Sequence, residues 1–120
     1  MEKYFFIVRT RAGMTAGIEE IKAIKEQISG IAVPPCRRFN LEWARAIEFE
    51  LLVQVAEITA RSALAREESR GFHKRTDFPD EDNGRWLVHT VARREEAKLT
   101  IGTRPVTITR LSPGVSNGSR

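Results

Sequence analysis

Residues 41–70 read LEWARAIEFELLVQVAEITARSALAREESR, and this stretch decides the fold. Asn40 stands directly before it and is a favoured N-cap residue, while Gly71 stands directly after it and suits a helix end. The sequence therefore predicts one helix from Leu41 to about Arg70. At a rise of ~1.5 Å per residue this helix would be about 45 Å long, which is far above the usual length, so it would form the spine of the domain.

The apolar residues of the predicted long helix form two stripes on nearly opposite sides. The first stripe consists of Ala44, Ile47, Leu51, Val55 and Ile58. The alanine-rich stripe consists of Ala46, Phe49, Val53, Ala56, Ala60 and Ala63. A helix that is wetted along one whole side shows a single apolar stripe, so we expect both stripes to be covered. Either residues 1–15 and 86–111 cover the alanine-rich stripe, or another domain or subunit docks on it.

A shorter helix is predicted before the long one. Thr15 is a suitable N-cap, the helix would run to about Ser29, and Gly30 suits the left-handed position just past its end. The residues that would share its apolar face are Ile18, Ile21, Ile24 and Ile28. Pro34 and the proline after it prevent any continuation. Residues 1–9 are short and aromatic and are typical of a helix tail or a lone turn.

A polar loop, TDFPDEDNG at residues 76–84, follows Gly71. The cationic residues that precede it are Arg66, Arg70, Lys74 and Arg75. Positive charge is favourable at the C-terminal end of a helix, and the carboxylates of the loop lie close by in sequence. We therefore expect local ion pairs between the loop and the helix end.

After the polar loop, the spacing of the apolar residues changes to every second position. Alternating apolar and polar residues predict short strands over residues 86–92, 99–101 and 106–109. Residues 94–97 would form a four-residue hairpin loop. The tail 112–120 is rich in Ser and Gly and is expected to be flexible.

The composition is that of one globular domain. The chain has 120 residues, of which 41% are hydrophobic and 30% charged. No apolar run approaches the ~20 residues that span a bilayer, and no secretory signal is recognisable, so we expect a cytoplasmic protein. The net charge is +4, but the cations are interspersed with carboxylates, which does not favour nucleic-acid binding.

The sequence lacks the motifs of the common catalytic and binding sites. It contains neither the dinucleotide-binding G-x-G-x-x-G nor the phosphate-binding G-x-x-x-x-G-K-[ST]. Cys36 is the only cysteine, and His73 and His89 are the only histidines, so metal-ligand and nucleophile–base spacings are missing. We predict no catalytic, cofactor-binding or metal-binding residue in this chain, as expected of a structural or binding module.

Residues 63–90, ALAREESRGFHKRTDFPDEDNGRWLVHT, are more specific than any of these patterns. They closely resemble the end of the long helix in the flavoprotein subunits of succinate dehydrogenase and fumarate reductase. There S-R-G-x-H precedes D-[FY]-P and W-x-x-H-T, and here these elements are residues 69–73, 77–79 and 86–90. L-aspartate oxidase and adenylylsulfate reductase are similar in this region, but W-x-x-H-T and the R-P-V at 104–106 favour succinate dehydrogenase and fumarate reductase.

The resemblance implies a mostly α fold. It is a small helical bundle of the three-helix type around one long helix, with a short C-terminal β-hairpin or extended appendage. The domain would cover residues 1–111, and the flexible tail residues 112–120. In members of this family several hundred residues precede this region, so the chain would be a fragment or a separately encoded subunit.

The resemblance also implies a role. Family members bind FAD in a large N-terminal domain and oxidise or reduce a C4-dicarboxylate there, while the C-terminal helical domain packs against the flavin domain near an iron–sulfur subunit. This chain would be a docking piece of such an oxidoreductase, inactive alone, in the cytoplasm or at the inner face of the membrane within a complex. An independent helical protein-interaction module is the alternative.

The residues proposed to dock on the flavin-binding domain are Arg70, His73, Arg75 and Trp43. The two arginines would pair with carboxylates of that domain, and Trp43 would be an interface anchor. The alternative, which we favour for the arginines, is that they close the helix end and pair locally with Asp77, Asp80 or Asp82. The apolar stripes also predict self-association of the isolated chain.

Overall fold

The computed structural model describes residues 2–36, 38–96 and 98–109. The elements in chain order are α1 (Glu2–Phe5), β1 (Val8–Arg9), α2 (Arg11–Ile28), α3 (Leu41–Ala65), β2 (Lys74–Arg75), α4 (Asn83–Trp86), β3 (Val88–Glu95) and β4 (Lys98–Pro105). The predicted fold class is confirmed, because the chain is mostly helical around the long α3 and carries an antiparallel β3–β4 hairpin. The predicted tail, 112–120, lies outside the described residues.

Helix α2 begins earlier than the sequence predicted. Thr10 has an extended backbone, and its side-chain oxygen accepts a hydrogen bond from the Gly13 N–H at 3.0 Å. Thr10 is therefore the N-cap, and the prediction of Thr15 is wrong because Thr15 lies inside a helix that is already capped. The prediction of a left-handed Gly30 is also wrong, since Ser29 leaves the helix in the right-handed conformation and Gly30 takes no positive φ.

Helix α3 begins where the sequence predicted. The Asn40 side-chain oxygen accepts a hydrogen bond from the Trp43 N–H at 2.9 Å, as an N-cap does. The helix ends at Ala65, however, five residues before the predicted end at Arg70. The difference follows from the tertiary contacts of the segment after Ala65.

The segment after α3 folds into a loop in which Glu68, Ser69 and Arg75 are buried. Ser69 donates from its N–H to the Asp80 carbonyl at 3.0 Å and from its hydroxyl to the Phe78 carbonyl at 2.8 Å. These bonds take the place of helical ones. Gly71, with φ +55°, lies in the tight turn between Arg70 and His73, so its predicted role as helix terminator is wrong.

The core lies between α2 and α3. It consists of Ile18, Ile21, Val53 and Ala60, with Phe5, Ile28, Ala56 and Leu64 packed against it. The alanine-rich stripe is thus covered mainly by α2, the shorter predicted helix, rather than entirely by residues 1–15 and 86–111. A side chain on Gly17 would meet the Phe5 ring at 2.5 Å, so this glycine lets α1 lie directly on α2.

The β3–β4 hairpin is paired over its whole length, from Val88 opposite Pro105 to Glu95 opposite Lys98. The strand predicted over 106–109 does not form, and the pairing ends at a proline, which has no N–H to donate. The hairpin is therefore one continuous two-stranded unit rather than three short strands.

The predicted four-residue hairpin loop, 94–97, is also wrong. Arg94 is still paired with Leu99 within the sheet, which leaves only Glu96 and Ala97 between the strands. Glu96 has φ +55°, as two-residue hairpin turns require, and Ala97 lies outside the described residues.

A short helix, α4, precedes the hairpin. Its N-cap is Asp82, whose side chain accepts a hydrogen bond from the Arg85 N–H at 3.0 Å. The prediction that Trp86 opens a strand is wrong, because Trp86 ends this helix and its side chain is buried. The polar loop predicted over 76–84 therefore ends in the first residues of α4.

The N-terminal segment contains both a helical turn and a strand. Strand β1 pairs in parallel with β2, and the Lys74 N–H donates to the Ile7 carbonyl at 3.1 Å. The prediction of a helix tail or a lone turn accounts for α1 but missed β1, since two residues are too short for a periodic signal. No helix in the described part of the chain has the length and apolar character needed to span a membrane.

Candidate functional site

The side of α3 opposite α2 is apolar and exposed. This surface, the far face, consists of Ile47, Leu51, Leu52, Val55 and Ile58. Leu52 is 64% exposed and Val55 is 59% exposed, although both lie in the middle of the longest helix. We expected both apolar stripes of α3 to be covered. This is so for the alanine-rich stripe, but the described residues leave the first stripe, which contains Leu51 and Val55, exposed.

The far face continues into a groove between α1, α2 and α3. The groove has a volume of about 330 Å³ and is mostly apolar, and its lining includes Tyr4, Phe5, Ile21, Ile24, Phe49 and Leu52. At its edge the Tyr4 hydroxyl donates to Glu20 Oε1 at 2.5 Å. Leu52 belongs to both surfaces, so one docked segment can contact the groove and the far face together.

Trp43 lies at the N-terminal end of α3 and is 58% exposed. The preceding Phe39 is 91% exposed and has φ +56°, a conformation that costs free energy for an aromatic residue. Asn40 holds this corner, since its side-chain amide donates to the carbonyls of Pro34 at 2.8 Å and Cys36 at 2.7 Å. The hydrogen bonds of Asn40 thus fix a corner at which the Phe39 and Trp43 side chains are exposed to solvent.

Glu68 organises the chain after α3. Its side chain is fully buried and accepts hydrogen bonds from Arg66 Nε at 2.7 Å, Arg70 Nε at 2.8 Å and the Asp82 N–H at 3.0 Å. Burial alone would raise the pKa of Glu68, but these donors outweigh it and lower the pKa to about 2. The ionised carboxylate thus ties the end of α3 to the start of α4.

Arg75 closes the C-terminal end of α3. Its buried guanidinium donates from Nη1 to the carbonyls of Leu64 at 3.2 Å and Arg66 at 2.9 Å. It also donates from Nε and Nη2 to the Asp77 carboxylate at 2.7 and 2.5 Å. This two-point pairing with Arg75 holds the pKa of Asp77 well below its usual range. Arg75 therefore forms a local ion pair with Asp77, which is the alternative that the sequence analysis favoured over docking on the flavin-binding domain.

His73 connects the N-terminal segment to the same region. Its Nδ1 lies 2.7 Å from Arg9 Nη1, and its Nε2 lies 3.3 Å from the Arg66 carbonyl oxygen. Because a guanidinium only donates, Nδ1 accepts and Nε2 carries the proton. Burial, followed by the nearby positive charges of Arg9 and Arg75, lowers the pKa of His73 and favours this neutral form.

The structure brings three of the four candidate docking residues together and separates the fourth. Arg70, His73 and Arg75 meet at the C-terminal end of α3, whereas Trp43 lies about 33 Å away at ~1.5 Å per residue. Arg70 keeps some exposure and also donates to Asn83 Oδ1 at 2.7 Å.

Sequence reasoning included Arg66 in the basic group at the helix end but missed Arg9 and Glu68. Arg9 and His73 are 64 positions apart, and no spacing rule connects residues at that distance. Glu68 stands in the charged run 66–70, which is typical of a solvated surface, so no local signal marked it as buried.

The charged side chains after α3 are joined by hydrogen bonds and ion pairs. Within residues 2–36, 38–96 and 98–109, no three His, Cys, Asp or Glu side chains are grouped so that they could hold a metal ion. The charged groups at the end of α3 mostly satisfy one another. The exposed apolar surface lies elsewhere, on the far face, in the groove and at the Trp43 corner. Exposed apolar patches of this kind usually mark contacts with a partner.

Comparison with known proteins gives a consistent result. Residues 1–117 match a family model described as the fumarate reductase flavoprotein C-terminal region. The fumarate reductase flavoprotein subunit of Mycobacterium tuberculosis is 40% identical over 110 residues, which is 90% of this chain and 19% of that protein. The succinate dehydrogenase flavoprotein subunit of Rickettsia felis is 34% identical over 118 residues, or 97% of this chain and 20% of that protein.

Solved structures agree with these relatives. A variant of FrdA from the Escherichia coli quinol fumarate reductase superposes with a TM-score of 0.90 at 31% identity, over 95% of this chain and 20% of that chain. A chain of the Mycobacterium smegmatis Sdh1 complex superposes with a TM-score of 0.78 at 27% identity, over 93% of this chain and 19% of that chain. The chain therefore spans about a fifth of the length of the proteins that it matches.

Proposed function

This chain belongs to the succinate dehydrogenase/fumarate reductase flavoprotein family, as its C-terminal domain, and from this premise we propose that it is a docking domain for the flavin-binding part of such an enzyme. In this role it has no catalytic residue of its own. It supplies a rigid helical body against which the flavin-binding domain packs.

The exposed far face carries this proposal. A helix with apolar stripes on two opposite sides is normally covered on both, whereas the buried residues of α3, which are Val53, Glu57 and Ala60, all lie on the side toward α2. Its relatives are about five times longer than this chain, so most of the flavoprotein lies outside the described fold. We infer that part of this remainder covers the far face and the adjoining groove.

The proposal extends to the whole enzyme. The complete flavoprotein would bind FAD in its other domains and carry out redox chemistry on a C4-dicarboxylate. An iron–sulfur subunit would be a further partner, and the assembly would lie at the cytoplasmic face of a membrane. In this assembly Trp43 would serve as an anchor, while Arg70 would contribute the part of its guanidinium that Glu68 leaves exposed.

A chimeric flavoprotein tests the docking role. In the M. tuberculosis fumarate reductase flavoprotein subunit, the matching 110 residues are replaced by this chain. We expect the chimera to retain flavin and to reduce fumarate with an artificial electron donor. The double variant Leu51→Glu/Val55→Glu should lower the flavin content per protein at least roughly tenfold, because it places two charges in a buried apolar contact.

The control for this experiment is Ile108→Glu, which adds a carboxylate at another exposed apolar residue outside α3. The control chimera should keep its flavin. Equal flavin content and activity in the double variant and the control would show that the far face is not the docking surface. The isolated chain should show no flavin absorbance and should self-associate less as the double variant.

A further inference from the structure

The β3–β4 hairpin has one face that packs on α3 and one that does not. On the inner face, Arg94 donates to Gln54 Oε1 at 3.1 Å, and Thr90 accepts from Arg66 Nη1 at 3.3 Å. The opposite surface, the outer face, consists of His89, Val91, Arg93, Glu95, Lys98, Thr100, Gly102 and Arg104. These residues alternate with the inner ones along each strand, as the pleat of a sheet requires.

The outer face is cationic and open. Arg93 and Arg104 are exposed, and no carboxylate among the described residues lies within 4.0 Å of either guanidinium. Further along the hairpin Glu95 stands opposite Lys98, so these two formal charges offset each other. The net positive charge of the face therefore belongs to the two arginines.

The spacing of the two arginines is regular. Arg93 stands opposite Thr100 and Arg104 opposite His89, so the two guanidinium groups are four residues apart along the hairpin, about 13 Å at ~3.3 Å per residue. Between them Gly102 leaves the centre of the face open, since a Cβ added there would meet no atom within 4 Å. An extended chain can lie across this centre with one acidic group on each arginine.

We propose that the outer face of the β3–β4 hairpin is a docking surface for an acidic, extended protein segment whose carboxylates engage Arg93 and Arg104. Guanidinium groups match carboxylates through two parallel hydrogen bonds, which gives geometric selectivity as well as attraction. His89 adds a further polar ring beside Arg104, whereas the Thr100 hydroxyl already donates to the Arg93 carbonyl at 3.3 Å. The surface is separate from the apolar far face, and its partner is recognised by charge rather than by apolar burial.

Other anionic partners fit this face less well. Single-stranded nucleic acids are bound largely by stacking on aromatic side chains, and the outer face has no Phe, Tyr or Trp. A membrane surface is bound by inserted apolar side chains or by larger clusters of Lys and Arg, whereas Val91 is the only apolar side chain of this face. Carboxylates of a protein segment are therefore the best match.

Peptide titration of the ¹⁵N-labelled 120-residue chain tests the proposal by NMR. The probe is a synthetic peptide of about eight residues that alternates glutamate and threonine, so that its carboxylates lie on one side when it is extended. We expect amide shifts confined to β3 and β4, which weaken as salt is added. A peptide of alternating glutamine and threonine should cause no such shifts.

Two variants make the test specific. Arg93→Gln/Arg104→Gln should weaken binding roughly tenfold, whereas Arg38→Gln/Arg45→Gln, which removes the same charge from exposed sites elsewhere, should leave it unchanged. Gly102→Leu adds a side chain into open space at the centre of the outer face without changing its charge, and it should also reduce binding. Because leucine suits a strand better than glycine, lost binding in this variant would not come from unfolding.

Three results would overturn the proposal. One is equal binding of the glutamate and glutamine peptides, and another is unchanged binding by the Arg93→Gln/Arg104→Gln variant. The third is a response of the hairpin amides to vesicles rich in phosphatidylserine, or to a single-stranded oligonucleotide, when the glutamate peptide causes none. The far-face experiment above can fail independently, since it depends on apolar contacts that added salt does not weaken.

Discussion

At the C-terminal end of α3 the protein buries charged groups, whereas along the middle of the same helix it leaves apolar side chains in water. Glu68 is fully buried among arginines that neutralise it, while Leu52 and Val55 are more than half exposed. The charged groups of the first region are paired within this chain, whereas the residues that the structure describes leave the second region open. The comparison separates the part that stabilises the domain from the exposed part that we propose as the docking surface.

The largest effect is expected from breaking the buried charge cluster. Glu68→Gln should lower the free energy of unfolding by about 3–5 kcal/mol, because Arg66 and Arg70 lose their buried counter-charge. Denaturant unfolding of the 120-residue chain measures this. Glu19→Gln, which removes an exposed partner of Lys22, should cost less than about 1 kcal/mol. Similar losses in the two variants would contradict the assignment of Glu68 as the organising group.

Low pH should remove the stabilisation that ionised Glu68 provides. The pKa of Glu68 falls from 4.5 to about 2 on folding, so ionised Glu68 stabilises the fold above pH ~4.5, and this stabilisation is lost as the pH falls toward 2. The difference in unfolding free energy between the wild type and Glu68→Gln should shrink across this window. Because Asp77 loses stabilisation in acid as well, the difference between the two proteins is the informative quantity. A constant difference from pH 6 to pH 2.5 would refute the role of the ionised carboxylate.

Two valines of α3 that lie within one helix turn, Val53 and Val55, compare the buried side of the helix with its exposed side. Val53→Ala should cost about 1–3 kcal/mol because Val53 is buried in the α2–α3 core. Val55→Ala should change the stability of the isolated chain by less than about 0.5 kcal/mol, since Val55 faces solvent and alanine is the better helix former. Thermal or denaturant unfolding measures both. Equal losses would mean that the far face is already covered in the isolated chain.

The smallest expected effect concerns the turn after α3. Gly71→Ala should cost about 1–2 kcal/mol, because Gly71 has φ +55° and an added Cβ opposes that backbone conformation although the space around it is open. Gly102→Ala is the matched control: its surroundings are equally open but its φ is not positive, so its stability should be unchanged or slightly higher. Equal losses at the two positions would assign the effect to the added side chain rather than to the backbone.

Local patterns were sufficient for the main elements. The cap at Asn40 and the apolar spacing along α3 predicted the long helix and its start, and alternation of apolar and polar residues predicted strands near the C-terminus. Such features depend on residues within a few positions of one another, which is the range over which periodicity acts. The family resemblance rested on the motif at residues 63–90 and is confirmed by the family match.

Element ends were less predictable. Thr10 and Thr15 are equally good N-caps by residue type. In the structure Thr10 caps α2, and the Arg11 N–H of its first turn donates to the distant Asp77 Oδ2 at 3.1 Å. Arg66 and the glutamates after it favour a helix, so nothing local indicated that α3 stops at Ala65. The end of α3 is set by the buried position of Glu68 and by Arg75 on the last helical carbonyls.

The sequence by itself determined that α3 would carry apolar residues on two sides and that the chain would belong to a family of flavoproteins. Only the tertiary structure decided which side stays open, because α2 could have packed on either. It also decided that Arg75 pairs with Asp77 inside the protein and that Arg93 and Arg104 share one open face. Burial and ion pairing depend on which distant segments meet, and the free energy of those contacts is not contained in any short stretch of the chain.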